Sequence, residues 1–193
     1  PGCHRFIGTI QDVFSHRFHH IHVFNLNNVQ VSGPMHPNAI AVGFMNKIFL
    51  AIGLMSGTSL DGIDAALLRT DGEKIVEPGE FLNLPYAPNF RERLRSVLKG
   101  TEPIQAIERE LTLLHAKAIE SLLTKATLKY DEVDLIGFHG HTIFHDPAQL
   151  NTYQIGDGAL LASETGVDVV CDLRSNDVAH GGQGAPLVPL YHM

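Results

Sequence analysis

From Ile48 onward the chain falls into short apolar runs divided by turn-forming clusters. Ile48 to Leu54 and Ile63 to Leu68 are apolar stretches of strand length, and Ser56-Gly57-Thr58-Ser59-Leu60-Asp61-Gly62 between them is dense in turn residues, a β-hairpin pattern. Lys74 to Leu84 supplies a third strand before Pro85. Phe90, Leu94, Val97 and Leu98 then recur at helical spacing and stop at Gly100, a suitable glycine for a helix C-terminus. A longer helix follows, with Thr101 as its cap, Pro103 in its first turn, and Ile104, Ile107, Leu111, Leu114, Ala118 and Leu122 along one face. Val133 to Phe138 and Val167 to Asp172 read as two more strands, with a short helix over Gly158 to Glu164 between them. Three sequential strands and then alternating strands and helices predict an α/β fold, a mixed five-stranded sheet flanked by helices.

Residues 1–46 do not share that order. Their apolar positions, among them Phe14, Phe18, Ile21, Val23 and Phe24, keep no helical period, and the breaker cluster Ser32-Gly33-Pro34-Met35-His36-Pro37 follows. The segment reads as a poorly ordered extension outside the fold, with Met45 as the natural start. Six of the twelve histidines fall here, His16, His19, His20 and His22 close together, but no Cys or carboxylate stands beside them at regular metal-ligand spacing.

Charge sharpens the division. Arg5, Asp12 and Arg17 give the first 45 residues a net +1, so residues 46–193 carry −8 of the formal −7. An acidic balance argues against nucleic acid or an anionic membrane surface as partner. The apolar-plus-Gly run from Ile48 to Met55 is too short to span a bilayer. With only Cys3 and Cys171 there is no disulfide framework, which favours a reducing, cytoplasmic compartment.

Three polar, glycine-bearing segments fall where strands of an open α/β sheet end, the usual place for a ligand. In Gly57-Thr58-Ser59-Leu60-Asp61-Gly62-Ile63-Asp64, two glycines allow close backbone approach, hydroxyls and amides can face phosphate oxygens, and Asp61 or Asp64 can hold Mg²⁺ through oxygen. No Gly-Lys-Ser/Thr follows, so it is not a Walker loop, and an ordinary hairpin turn explains the same residues. The second segment, His139-Gly140-His141-Thr142 with His145 beyond, reads as a loop at a strand end. Its His-x-His spacing opens a metal-hydrolase reading built on His139, His141 and His145. The third runs from Asp172 through Arg174 and Asp177 to Gly181-Gly182-Gln183-Gly184-Ala185-Pro186, where a carboxylate kept ionised by an Arg can serve as a general base.

Together, Gly53 to Asp64, His139-Gly140, Gln154-Ile155-Gly156-Asp157 and Asp172 to Pro189 resemble the anhydro-N-acetylmuramic acid kinase family in order and approximate spacing, from about residue 47 to the end. The resemblance implies an RNase H-like lobe of the acetate kinase, Hsc70 and actin type, and an enzyme that uses ATP and Mg²⁺ on an amino sugar. Such enzymes open the anhydro ring of 1,6-anhydro-N-acetylmuramic acid and phosphorylate O6 in cell-wall recycling, and the full-length family can form homodimers. By resemblance, Gly57, Thr58, Ser59, Leu60, Asp61, Gly62, Ile63 and Asp64 bind ATP, with Asp61 on the metal. Asp177 is the catalytic base, and His139, Gln154, Asp157 and Arg174 contact the sugar. His141 departs from the pattern, which more often has Gln after His-Gly. The family is about twice as long as the matching 147 residues, Lys47 to Met193, so the expectation is an N-terminal lobe without its second lobe, inactive as a kinase by itself. The non-catalytic alternative is a truncated sugar-binding lobe.

Overall fold

The computed structural model of the chain describes residues 30–32, 48–72 and 75–184. In chain order they form β1 (Gln30–Ser32), β2 (Phe49–Ser56), β3 (Gly62–Thr70), β4 (Val76–Pro85), α1 (Pro88–Leu98), α2 (Ile104–Ala126), β5 (Leu135–Asp146), β6 (Asn151–Ile155), α3 (Gly158–Thr165), β7 (Val169–Cys171) and α4 (Ser175–Ala179). The sheet runs β1-β7-β5-β2-β3-β4, with β6 paired to β5 off that path.

β2, β3 and β4 form an antiparallel meander, and β5 and β7 then add in parallel beyond β2. Strand order β4-β3-β2-β5-β7 with helical crossovers is the RNase H-like arrangement expected, flanked by helices. The sheet has seven strands rather than five. The two additional ones are β6, too polar (Asn-Thr-Tyr-Gln-Ile) to stand out by hydrophobicity, and β1, three residues within the segment read as an extension. β1 pairs antiparallel with β7; the histidine cluster and Met45 lie outside the described residues.

β2 and β3 show apolar runs instead of alternation because both faces of these strands are covered. Ile52, Leu54, Ile63, Ala65 and Leu67 meet Phe90, Leu94 and Val97 of α1 and Ile107, Leu111, Ala118, Ile119 and Leu122 of α2 in one core. Truncating a fully buried member such as Leu111 to Ala costs about 3 kcal/mol.

Two local expectations change. Thr101 does not cap α2; its hydroxyl donates to the Ser96 carbonyl at 3.0 Å and closes α1, while Pro103 precedes the first helical residue. His139 to Thr142 is not a loop. Positive φ at Gly140 (69°) redirects the backbone without ending the ladder, and β5 continues to Asp146 by pairing with β6. A Cβ at Gly140 would fall 2.3 Å from the Ile155 carbonyl oxygen, so the crossing of β5 and β6 requires glycine there.

Candidate functional site

Because β2, β5 and β7 are parallel, their carboxyl ends share one edge of the sheet. The β2–β3 turn, the His139 segment and the stretch from Asp172 all emerge there.

The turn is a hairpin closed by Leu60 N–H donating to the Gly57 carbonyl at 3.1 Å, with Leu60 at φ 58°. Thr58, Ser59 and Asp61 are exposed, whereas Leu60 and Ile63 are buried in the core. Gly62, Ile63 and Asp64 belong to β3, so the expected eight-residue loop is a shorter polar tip on a rigid hairpin. The Ser59 hydroxyl donates to Asp61 Oδ1 at 2.6 Å, and Gly62 N–H reaches the same oxygen at 3.1 Å. Asp64 sits opposite Asn83 and accepts from its amide at 2.8 Å. Burial raises the Asp64 pKa, Asn83 opposes the rise, and nearby Asp61 adds to it.

Where β5 crosses β6 and β7 ends lies a cavity of about 370 Å³. Its wall includes His139, Gln154, Asp157, Asp172 and Ser175, together with Gly140 and the Gly156–Gly158 backbone. Arg174 Nε donates to His139 Nε2 at 2.9 Å. A guanidinium only donates, so Nε2 carries the lone pair and the ring proton sits on Nδ1, 3.0 Å from the Gly140 carbonyl. Burial, and then the Arg174 charge, pushes the His139 pKa down to about 3. Arg174 is itself buried, its pKa lowered by burial to about 10, so it stays cationic near neutrality; it also donates to the Gly184 carbonyl at 2.9 Å.

Gln154 Nε2 donates to Thr152 Oγ1 at 2.8 Å, while its Oε1 is buried with no hydrogen-bond partner among the described residues. Asp157 lines the cavity but also caps α3, Oδ1 accepting from Leu160 N–H at 2.9 Å. Asp177 lies on α4, half-buried, its Oδ2 accepting from Gly184 N–H at 2.8 Å. Gly182 has no room for a side chain because a Cβ would meet that carboxylate. Asp177 is not in the cavity wall, whereas Asp172 is; Asp172 adopts φ 52° and accepts from the Ser175 hydroxyl at 2.5 Å.

The metal-hydrolase alternative does not assemble. His139 Nε2 accepts from a cation, His141 Nδ1 is 2.8 Å from Ser56 Oγ, and His145 lies farther along β5 against Thr152. Among the described residues no group of three His, Cys, Asp or Glu side chains could hold a metal ion.

Several supporting residues were not legible in the sequence. Glu108 Oε1 accepts from Gly156 N–H and Thr112 Oγ1 from Asp157 N–H, each at 3.0 Å, so α2 holds the cavity rim. Ser56 Oγ lies 2.5 Å from the Tyr86 phenol. Burial raises the Tyr86 pKa well above its ordinary value, so the phenol keeps its proton. Tyr86, Glu108 and Thr112 lie outside the polar glycine-bearing segments, Ser56 only opens one, and their partners are 30 to 85 residues away.

The same residues match known proteins in sequence. A model of the anhydro-N-acetylmuramic acid kinase family matches residues 49–193. This chain belongs to the anhydro-N-acetylmuramic acid kinase family. It is 55% identical over 143 residues to the anhydro-N-acetylmuramic acid kinase of Paramagnetospirillum magneticum, covering 74% of this chain and 40% of that protein. With the anhydro-N-acetylmuramic acid kinase of Agrobacterium fabrum it is 50% identical over 159 residues, 77% of this chain and 43% of the relative. The chain thus spans about two fifths of the length of these kinases. Among the described residues no helix is long and apolar enough to cross a membrane.

Proposed function

We propose that this chain forms the sugar- and phosphate-facing lobe of an ATP-dependent kinase of 1,6-anhydro-N-acetylmuramic acid, producing N-acetylmuramic acid 6-phosphate. The observation that carries the reading is the juxtaposition, on one sheet edge, of a polar hairpin tip and a cavity lined in part by Gln154, a residue whose Oε1 is buried without a partner among the described residues. A buried acceptor without a donor costs free energy that a sugar hydroxyl can recover. Exposed Thr58 and Ser59 hydroxyls suit phosphate oxygens, and the exposed Asp61 carboxylate is the hard oxygen donor a Mg²⁺ ion prefers, so these residues fit the nucleotide and its metal. Bound Mg²⁺ would supply charge neutralisation on the transferring phosphoryl group.

In this reading Asp177 takes a proton from water as the water oxygen bonds to the anomeric carbon. The bond from that carbon to O6 breaks, and O6 accepts the γ-phosphoryl group. Arg174 and His139 hold the wall between cavity and catalytic segment, and Gln154 and Asp157 orient the sugar. A cytoplasmic enzyme, with homodimerisation of the full-length protein, belongs to the same proposal.

Calorimetric titration of this chain with the anhydro sugar tests the cavity: saturable binding supports the reading, and its absence overturns it. In a coupled ADP-release assay the chain alone is expected to show negligible turnover. If a complementing C-terminal portion of a relative restores turnover, Asp177→Asn is expected to abolish it; undiminished turnover would remove Asp177 from the base role.

A further inference from the structure

Tyr86, the residue after β4, holds both shoulders of the β2–β3 turn. Its backbone N–H donates to the Asp61 carbonyl at 3.0 Å, and its phenol lies 2.5 Å from Ser56 Oγ, at the end of β2. Ser56 Oγ also lies 2.8 Å from His141 Nδ1 on β5, two residues past the cavity-lining His139. All three residues are essentially excluded from solvent: Ser56 is 1% exposed, His141 0% and Tyr86 4%. The Tyr86 ring is fixed against Phe90 of α1, with centroids 5.0 Å apart. A hydroxyl held from both sides in a dry environment is a rigid joint, because releasing either partner leaves a buried polar group unsatisfied. The joint ties the last residue of β2, at the base of the turn, to β5 two residues past His139, and none of its three residues lines the cavity.

We propose that Tyr86, Ser56 and His141 are positioning residues that clamp the Gly57–Asp61 turn to β5 and so set the phosphate-facing tip relative to the sugar cavity. The functional half of this inference rests on the kinase reading above; the clamp itself does not. It also gives the unusual residue after His139-Gly140 a task within the protein: His141 faces the Ser56 hydroxyl rather than the cavity.

The test compares the wild-type chain with Tyr86→Phe and Ser56→Ala, each of which removes a single oxygen and keeps the packing. Two readouts by NMR apply: hydrogen exchange of the Leu60, Gly62 and Tyr86 amides, and shift changes on titration with Mg-ATP and, separately, with the anhydro sugar. Loss of one neutral hydrogen bond corresponds to about a fivefold change. Tyr86→Phe, which loses one bond, is expected to exchange these amides about fivefold faster and to bind Mg-ATP about fivefold more weakly, and Ser56→Ala, which loses two, to show larger changes in the same direction. Sugar-induced shifts at Gln154 to Gly158 are expected to keep their midpoint, which a general loss of fold would move. Unchanged exchange in both variants overturns the clamp. No Mg-ATP response in the wild-type chain overturns the phosphate-facing role of the turn, and exchange then decides the clamp independently.

Discussion

The two halves of the candidate site are built in opposite ways. Within the β2–β3 tip the bonds run between near neighbours, Leu60 to Gly57 and Ser59 to Asp61, with only its base tied to distant Tyr86, and its polar side chains face solvent. The cavity wall is assembled from residues far apart in the chain: Gly156 on Glu108, 48 residues away; Asp157 on Thr112, 45 away; and His139 on Arg174, 35 away. Local closure makes a tip that tolerates change, whereas long-range closure makes a wall whose geometry is inseparable from the folded core. Perturbations of the wall should therefore register as stability, and those of the tip as binding alone.

Acid is the widest lever on the wall. His139, His141 and His115 lie near one another, buried, with pKa values lowered from 6.5 to about 3, 4 and 4, burial being the first cause for each. The groups facing them include Arg174, Ser56 and the Leu111 carbonyl. Depressed values mean that the unfolded chain binds protons the native chain refuses. Their stabilisation is therefore complete above pH 6.5 and is lost as pH falls from 6.5 toward 4. Each histidine contributes a slope of about 1.4 kcal/mol per pH unit within that window. Urea unfolding from pH 7.5 to 5 is expected to show the midpoint falling steeply below 6.5; a flat profile would refute the buried, neutral state of these rings.

Next in size is Arg174→Met, which keeps most of the volume but removes the donor to His139 Nε2 and the Gly184 carbonyl. Two buried acceptors lose their partner, at a cost of about 2 kcal/mol. Loss of the guanidinium charge also allows the His139 pKa to rise, so the acid slope should become shallower at its low end. Equilibrium unfolding at pH 7.5 measures the first effect, and the same series carried down to pH 4 the second.

What was legible in the sequence follows the same division. Apolar runs and turn clusters located β2, β3, β5 and both long helices, since burial on two faces or one leaves a periodic trace. The tip residues were legible because a tight turn demands a local vocabulary of Gly, Ser, Thr and Asp. The wall was visible only as polar segments whose assembly came from resemblance. Nothing in local composition marks Thr112 as an acceptor for Asp157 or Arg174 as a donor to His139. β6 was missed because it is held by β5 rather than by its own hydrophobicity, and His139 to Thr142 read as a loop because glycine there serves a strand crossing.

A smaller effect isolates one thread of the wall. Thr112→Val is nearly isosteric, yet it removes the acceptor for Asp157 N–H while leaving Glu108 on Gly156. The residue is fully buried, so the expected cost is about 1 kcal/mol. Amide exchange should accelerate locally over Gly156 to Leu160. Acceleration spread evenly over the sheet would mean that the rim does not depend on α2.

The tip should barely register in the same measurement. Ser59 is exposed, and its hydroxyl bonds only two residues on, to Asp61 Oδ1, an oxygen that also accepts Gly62 N–H. Ser59→Ala therefore leaves the carboxylate anchored by the backbone and open to water, and stability should move by less than about 0.5 kcal/mol. On the proposed reading its effect belongs to nucleotide binding: removing the hydroxyl leaves Asp61 Oδ1 held by the Gly62 N–H alone and takes away one of the two exposed tip hydroxyls, so Mg-ATP shifts at the tip should shrink while sugar binding stays intact. A loss of stability comparable to that of Thr112→Val would show that the tip, too, is part of the core's closure, and the division between the two halves of the site would fail.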